Sequence, residues 1–255
     1  MNKLDILKFF GEQDKAEIIN LYEKYSLSKE RDIPLFGNHF YPPNIWRFFE
    51  DKMKERFFPI TSDGFFDEAE RRMISFNNIY ECSFPYKIIK VTNKSKFSNL
   101  THRDYLGALL SLGIKREKIG DLLVKENVCY FPVCEEIEQF IIDNLSLIGK
   151  SPCDVEVVSD EFKAPAFEFK ELVILVQTLR IDSIVAKLAN VSRGKAQSMI
   201  EEGKVLINYN TVSNKSVMIE IGSRITIRGQ GKFILKDIIG NSKSGKFKVL
   251  IKKYT

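Results

Sequence analysis

Serine, two cations and a glutamine fall within a few residues of each other where a helix begins: Val191-Ser192-Arg193-Gly194-Lys195-Ala196-Gln197. Ser192 occupies the position of an N-cap, where its hydroxyl accepts from unsatisfied N–H groups of the next turn. Arg193 and Lys195 follow beside those N–H groups, and cations at a helix start make an anion site. Eleven residues upstream of Arg193 lies Asp182, in Arg180-Ile181-Asp182, a carboxylate able to hold a basic partner in place. Downstream come Glu202-Gly203-Lys204-Val205-Leu206-Ile207-Asn208 and then Lys215-Ser216. The chemistry on offer is the capture of phosphates by Arg180, Arg193, Lys195, Lys204 and Lys215, with hydrogen bonds from Ser192, Gln197 and Asn208. The plain alternative is a solvated helix end carrying ordinary surface charge.

The elements that position these residues follow from spacing. Ile181, Ile184, Val185 and Leu188 recur at i, i+3, i+4 and i+7, the pattern of a helix with one apolar face. A second, basic helix starts after Ser192 and stops at Gly203, a residue suited to the left-handed conformation at C′. Val205 to Asn208 then alternates as a strand. Charge favours the phosphate reading over the plain one. Residues 180–255 carry 15 Lys+Arg against 5 Asp+Glu, whereas residues 1–179 carry 24 against 29. The formal net charge of +5 thus hides a basic tail on an acidic body. Such asymmetry points to a polyanion, most simply a nucleic acid.

Residues 180–228 resemble the S4 RNA-binding domain, a small αL-type module. The resemblance is carried by Arg180 and Asp182, Ser192-Arg193 and Ala196, Gly203, Val205, Asn208, Lys215-Ser216 and Gly222. Asn208-Tyr209 stands where many such domains have Asn-Gly, and Gly222-Ser223 where many have Gly-Asp. Neither departure removes a phosphate ligand, and Tyr209 adds a surface on which a base could stack.

The rest of the chain excludes several function classes. Its 255 residues allow one large or two to three small domains, and 44% apolar content suffices for buried cores. No signal peptide is visible after Met1-Asn2-Lys3-Leu4-Asp5, and Leu172–Val176 is too short to span a bilayer. Cys82, Cys129, Cys134 and Cys153 show no CxxC and lie far from His39 and His102, so no metal site is expected, nor any cofactor. Reduced, mostly buried cysteines in a cytosolic protein are the simpler account. Gly240 to Lys246 approaches a P-loop, but Phe247 replaces the Ser/Thr and a strand follows, so it reads as a turn.

Residues 1–75 read as mostly helical, with apolar stripes at Ile18, Leu21, Tyr22, Tyr25 and at Ile45, Phe48, Phe49, Met53. The latter is entered through Pro42-Pro43. An aromatic-rich loop covers Pro34 to Pro43, and a further helix is expected from Asp63-Gly64 to Ile74, with Arg71-Arg72 on a solvated face. Residues 76–160 read as β-α-β-β-α-β. Strands are expected at Tyr86–Val91, Asp121–Val124, Cys129–Val133 and Asp154–Val158, with helices at Thr101–Leu112 and from Cys134 or Glu135 to Leu147. His102 and Asp104 are two apart on one helix and do not face each other, so they do not suggest catalysis. Lys115, Arg116 and Lys118 are candidates for an extension of an RNA surface. Ser159 to Pro165 reads as a linker.

The run Thr101-His102-Arg103-Asp104-Tyr105-Leu106-Gly107-Ala108-Leu109-Leu110, with Gly113 to Asp121, is similar to the central signature of the bacterial YlmH family, and Arg228 to Phe233 resembles its closing segment. That resemblance implies an α+β chain: a helical N-terminal region (1–75), a ferredoxin/RRM-like middle domain (76–165) and a C-terminal S4 domain with closing strands (166–255). It implies a cytosolic, monomeric, non-enzymatic protein that binds rRNA or tRNA, with the 50S ribosomal subunit as partner. The family is often encoded near cell-division genes and is similar to S4 proteins of ribosome quality control. An RNA-modifying enzyme with an appended S4 domain is the competing expectation. Against it, little chain follows the S4 module, and no Gly-rich cofactor loop or HIGH-like signature is evident.

Overall fold

A computed structural model describes residues 3–10, 15–159, 162–165 and 169–254. By internal contacts the chain divides into two units, Met1–Ala166 and Phe167–Thr255.

The first unit opens with α1 (Lys3–Leu7), α2 (Lys15–Arg31), β1 (Leu35–Phe36), α3 (Pro43–Lys52), β2 (Ile60–Asp63) and β3 (Met73–Phe76). Both apolar stripes bury as their spacing predicts: Ile18, Leu21 and Tyr25 from α2, Ile45 and Phe49 from α3, and Met53 at its C-cap share one core. Pro42 is the N-cap of α3 and Pro43 its first residue, where a missing N–H costs nothing.

The helix expected from Asp63 to Ile74 is not formed. Met73–Phe76 is instead a fully buried strand at the centre of a three-stranded sheet, order β1-β3-β2. A short run of four buried residues, three of them apolar, is ambiguous by periodicity, and here flanking strands on both sides satisfy its backbone. Asp63 starts the intervening loop by accepting from the Gly64 and Phe65 N–H groups. Arg71 and Arg72 do not lie on a solvated face either. Arg71 donates to Phe40 O (2.7 Å), and Arg72 donates to Ala69 O (3.0 Å) while packing over Trp46. Residues 1–75 are therefore mixed helix and sheet, and not mostly helical.

The unit continues with β4 (Tyr86–Asn93), α4 (His102–Ser111), β5 (Leu123–Lys125), β6 (Val128–Cys134), α5 (Glu138–Asn144), β7 (Leu147–Ile148) and β8 (Ser151–Val157). The sheet order β5-β6-β4-β8-β7, antiparallel throughout, is that of a split βαβ fold with one added edge strand. Thr101 begins α4 as expected, its N–H donating to Asp104 Oδ2 at 2.7 Å. The second helix is shorter than its apolar pattern suggests: Glu135–Ile137 is a 3₁₀ turn, α5 ends at Asn144, and Leu147 is in a strand. Ile89, Val91, Tyr105, Leu109, Phe131 and Ile141 fill the core between sheet and helices.

The segment Gly113–Asp121 joins the two layers of this unit. Glu117 O accepts from Phe40 N–H (2.8 Å), and Asp121 Oδ2 accepts from the Glu70 and Arg71 N–H groups. Arg116 turns inward to Gly120 O (3.0 Å), and Lys118 pairs with Glu136 and reaches Asn38 O. Of the three cations, Lys115 is exposed and the other two are half-buried. A Cβ on Gly120 would stand 2.4 Å from Pro132 Cγ and 3.2 Å from Phe40. Gly120→Ala is expected to lower stability by about 1–3 kcal/mol through overpacking, read as a lower urea midpoint at unchanged slope.

The second unit comprises β9 (Phe169–Val176), α6 (Ile181–Leu188), α7 (Arg193–Glu201), β10 (Val205–Ile207), β11 (Asn210–Thr211), β12 (Arg224–Ile227), β13 (Gly231–Asn241) and β14 (Phe247–Tyr254). Its six strands run β11-β10-β12-β13-β14-β9. Ile181, Ile184 and Val185 of α6 and Ala196, Met199 and Ile200 of α7 bury against Val205, Ile225, Phe233, Leu235, Val249 and Ile251 of the sheet. Of Gly240 to Lys246, the first two residues end β13, and Ser242–Lys246 is the turn to β14, with Ser242 N–H donating to Lys246 O at 2.7 Å.

Candidate nucleic-acid interface

Two helix ends meet to make the site. α6 stops with Asn190 in the left-handed region (φ 53°), its N–H on Lys187 O and that of Val191 on Ala186 O. Ser192 then caps α7, accepting from Lys195 N–H at 3.2 Å. A Schellman arrangement closes α7: Gly203 (φ 68°) donates to Ile200 O and Lys204 to Met199 O, both at 3.0 Å. The junction is therefore tight, and it brings the start of α7 back to the start of α6.

Asp182 sits between those starts and is fully buried. Its carboxylate accepts from Arg180 (Nε 3.2 Å, Nη2 3.0 Å), from Arg193 (Nε 3.0 Å, Nη2 3.2 Å) and from Gln197 Nε2 (2.9 Å). Burial alone raises its pKa, but the hydrogen bonds from Arg180, Arg193 and Gln197 outweigh this and hold the carboxyl well below the usual range. Each guanidinium spends two of its five N–H groups on Asp182 and keeps the rest for a ligand. The Arg180 side chain is 32% and that of Arg193 50% exposed.

At about 100° per residue, Ala196, Met199 and Ile200 mark the buried side of α7, and Arg193 and Lys195 flank the opposite, solvent side. Between them lies Gly194, where a Cβ would meet nothing within 4 Å. The N–H groups of Arg193 and Gly194 are at positions without an intrahelical acceptor. Two cations thus border a stretch of approachable backbone at a helix N-terminus. Gly194→Leu should leave stability unchanged or raise it by up to about 1 kcal/mol, from helix propensity, as measured by urea unfolding. The same variant should weaken RNA binding about tenfold by covering that backbone.

The remaining predicted residues lie around this centre in different roles. Lys215 pairs with Glu201 (3.2 Å) and Lys204 with Glu202, both at the far end of α7. Asn208 (φ 47°) and Tyr209 (φ 71°) form the β10–β11 turn, and Asn208 Oδ1 accepts from Arg224 N–H at 2.9 Å. Ala196 and Val205 are fully buried and present no surface. Sequence reasoning missed Arg224, which donates to the Tyr209 hydroxyl and approaches its ring at 5.8 Å. An Arg four residues beyond Glu220 carried no signal, because the pairing spans fifteen residues and depends on the sheet register.

The fold and site are those of a small cationic module with two helices on a sheet. Residues 179–225 match the family model "S4 domain", and residues 80–162 match "Putative RNA-binding domain in YlmH". Over 195 residues the chain is 30% identical to the ribosome-associated protein quality control protein P2 of Bacillus subtilis (strain 168), covering 74% of this chain and 76% of that protein. A solved structure, cell division protein ylmH from Streptococcus pneumoniae, is 22% identical with a TM-score of 0.47, covering 59% of this chain and 93% of that one. The chain belongs to the YlmH family of S4-domain proteins. No helix among the described residues is long and apolar enough to cross a membrane, and no group of three or more His, Cys, Asp or Glu among them could hold a metal ion.

Proposed function

We propose that the protein binds ribosomal RNA or tRNA on the large ribosomal subunit, without catalysing a reaction, in ribosome-associated quality control. The observation that carries this reading is the buried Asp182 with Arg180 and Arg193 fixed upon it, beside the exposed start of α7. Phosphates recognised there supply affinity, and the shape of the folded RNA supplies selectivity. Arg180, Arg193 and Lys195 are the direct contacts. Lys204 and Lys215 add positive potential, Ser192 and Gln197 fix the helix start and the arginine pair, and Asn208 holds the adjoining turn. The name of the Bacillus subtilis relative supports the ribosomal setting. The protein acts as a monomer in the cytoplasm.

Sedimentation tests this reading. The chain mixed with purified ribosomal subunits should travel with the large subunit and not with the small one, and Arg193→Ala/Lys195→Ala should stay at the top of the gradient. A chain that ignores both subunits, or a variant that cosediments as well as the wild type, refutes it. Mass analysis of nucleosides after incubation of rRNA or tRNA with common methyl donors should show no new modification.

A further inference from the structure

On the sheet face that an RRM-like fold offers to bases, the aromatic side chain of β6 is already engaged. Tyr130 lies on that face and stacks on Phe162 (4.9 Å, 23°), which in turn stacks on Phe65 (6.1 Å, 20°). Among the described residues the most exposed aromatic ring lies instead in the loop before α4. Phe97 there is 101% exposed. The loop is braced from within by Asn93, which is 5% exposed. The Asn93 amide donates to Ser98 O (3.2 Å) and Oγ (3.0 Å), and its Oδ1 accepts from Ser95 N–H (2.9 Å). Ser98 Oγ also meets Ser151 Oγ at 2.8 Å, and Lys94 N–H donates to Pro152 O at 2.9 Å. A fully exposed ring gains nothing for the fold, but the network fixes the backbone that presents it, so on binding it is mainly the ring's own rotamer freedom that is lost.

Beside the loop, an open cleft of about 690 Å³ runs between α4 and the β7–β8 turn, lined by Leu100, Arg103, Gly107, Ala108, Lys150 and Ser151. A Cβ on Gly107 would meet nothing within 4 Å, so the cleft wall is low there. Lys96, Arg103 and Lys150 are exposed at this end of the unit. Asp104 also lines the cleft and keeps its negative charge while capping on Thr101, and Asp154 is paired with Lys94, so the cations outnumber the unpaired carboxylate here three to one. The excess of positive charge selects a polyanion over an acid-poor protein surface, and an exposed ring beside cations is the arrangement that grips single strands.

We propose that this end of the Met1–Ala166 unit is a second RNA contact, where Phe97 stacks on an unpaired base and Lys96, Arg103 and Lys150 pair with the flanking phosphates. It rests on the RNA-binding reading above but uses none of the same residues. The probe is a fluorescein-labelled decaadenylate, titrated with the full chain in low salt and followed by anisotropy. Phe97→Ala should weaken binding about tenfold or more, the loss of one stacked base, and Arg103→Glu/Lys150→Glu by a similar factor. Phe97→Trp should bind as well as the wild type, with an emission change on adding the oligonucleotide that wild-type Trp46, buried in the core, does not show. Arg193→Ala/Lys195→Ala should lose ribosomal RNA while still answering to Phe97→Ala on the probe. The proposal is overturned if the wild type ignores the probe, if Phe97→Ala binds within about twofold of it, or if the emission of the Phe97→Trp variant does not move. A silent Phe97→Ala with a defective Arg193→Ala/Lys195→Ala refutes this contact and leaves the S4 site standing; the reverse pattern does the opposite.

Discussion

Replacing Asp182 by Ala should cost more than any other single change at the site. The carboxylate is fully buried and is the common acceptor of Arg180, Arg193 and Gln197. Without it, two guanidiniums face each other across a space that water reaches poorly, each with donors left unmet. Removing one partner from a buried ion pair costs about 3–5 kcal/mol; with Arg193 half exposed, about 2–4 kcal/mol is expected here. For a unit of this size that is a fall in melting temperature of roughly 10 °C or more. RNA binding should fall more than tenfold at a temperature where the variant is still folded, because the arginines lose their shared orientation. Asp182→Asn, which keeps the shape but not the charge, should fall between the two. The pH dependence follows from the lowered carboxyl pKa. A depressed folded value gives stability that is complete above the unfolded aspartate range and is lost as pH falls through the folded value. The site should therefore be insensitive from about pH 5 to 8 and weaken only in stronger acid, monitored by acid titration of unfolding.

The salt dependence of RNA binding should be steep and should flatten in Arg193→Ala/Lys195→Ala. Three phosphate contacts, from Arg180, Arg193 and Lys195, give a slope of log K against log salt of about −2 to −3. Removing two of them should reduce the slope by about 1.5–2 and the affinity at moderate salt by roughly 10–100-fold. Lys195 is exposed and folding should be nearly unaffected by Lys195→Ala alone, whereas Arg193→Ala also takes two hydrogen bonds from the buried Asp182, so the double variant is compared at a temperature where it is still folded. Anisotropy titrations of ribosomal RNA at several salt concentrations read both quantities. A slope that stays the same in the variant means that these side chains do not meet phosphates.

Much of the local geometry around these residues was readable because its determinants are local. Ser192, the apolar stripe of α6 and the Gly203 stop each act within one or two turns and set where the helices begin and end, while Arg180 is also held by pairing with Met218. What spacing does not show is that Asp182 holds two arginines and a glutamine at once, since that depends on how α6 turns back onto α7. The middle sheet was readable for a similar reason: strands and helices alternate, and the Glu126-Asn127 turn separates β5 from β6. The first 75 residues were harder. Met73–Phe76 is buried on both faces, Ser75 included, and such a strand lacks the alternation that distinguishes it from helix. Arg71 and Asp121 look like surface charge in sequence, yet they tie distant segments together, Arg71 through Phe40 O and Asp121 through the N–H groups of Glu70 and Arg71, while Arg72 and Arg116 turn back onto nearby backbone carbonyls. Phe97 carries no signal in the sequence, because the loop that presents it is fixed by the buried Asn93, whose role emerges only with Ser98 and Ser151 beside it.

Ultraviolet crosslinking of the full chain on purified large ribosomal subunits, followed by mass mapping of the RNA-bearing peptides, addresses the phosphate-binding role of the arginine pair most directly. Adducts should concentrate in the peptides spanning Arg180 to Lys195, and should disappear from them in Asp182→Ala while the first unit keeps its own. Adducts spread over the chain with none between Arg180 and Lys195, or a pattern unchanged by loss of Asp182, would contradict it.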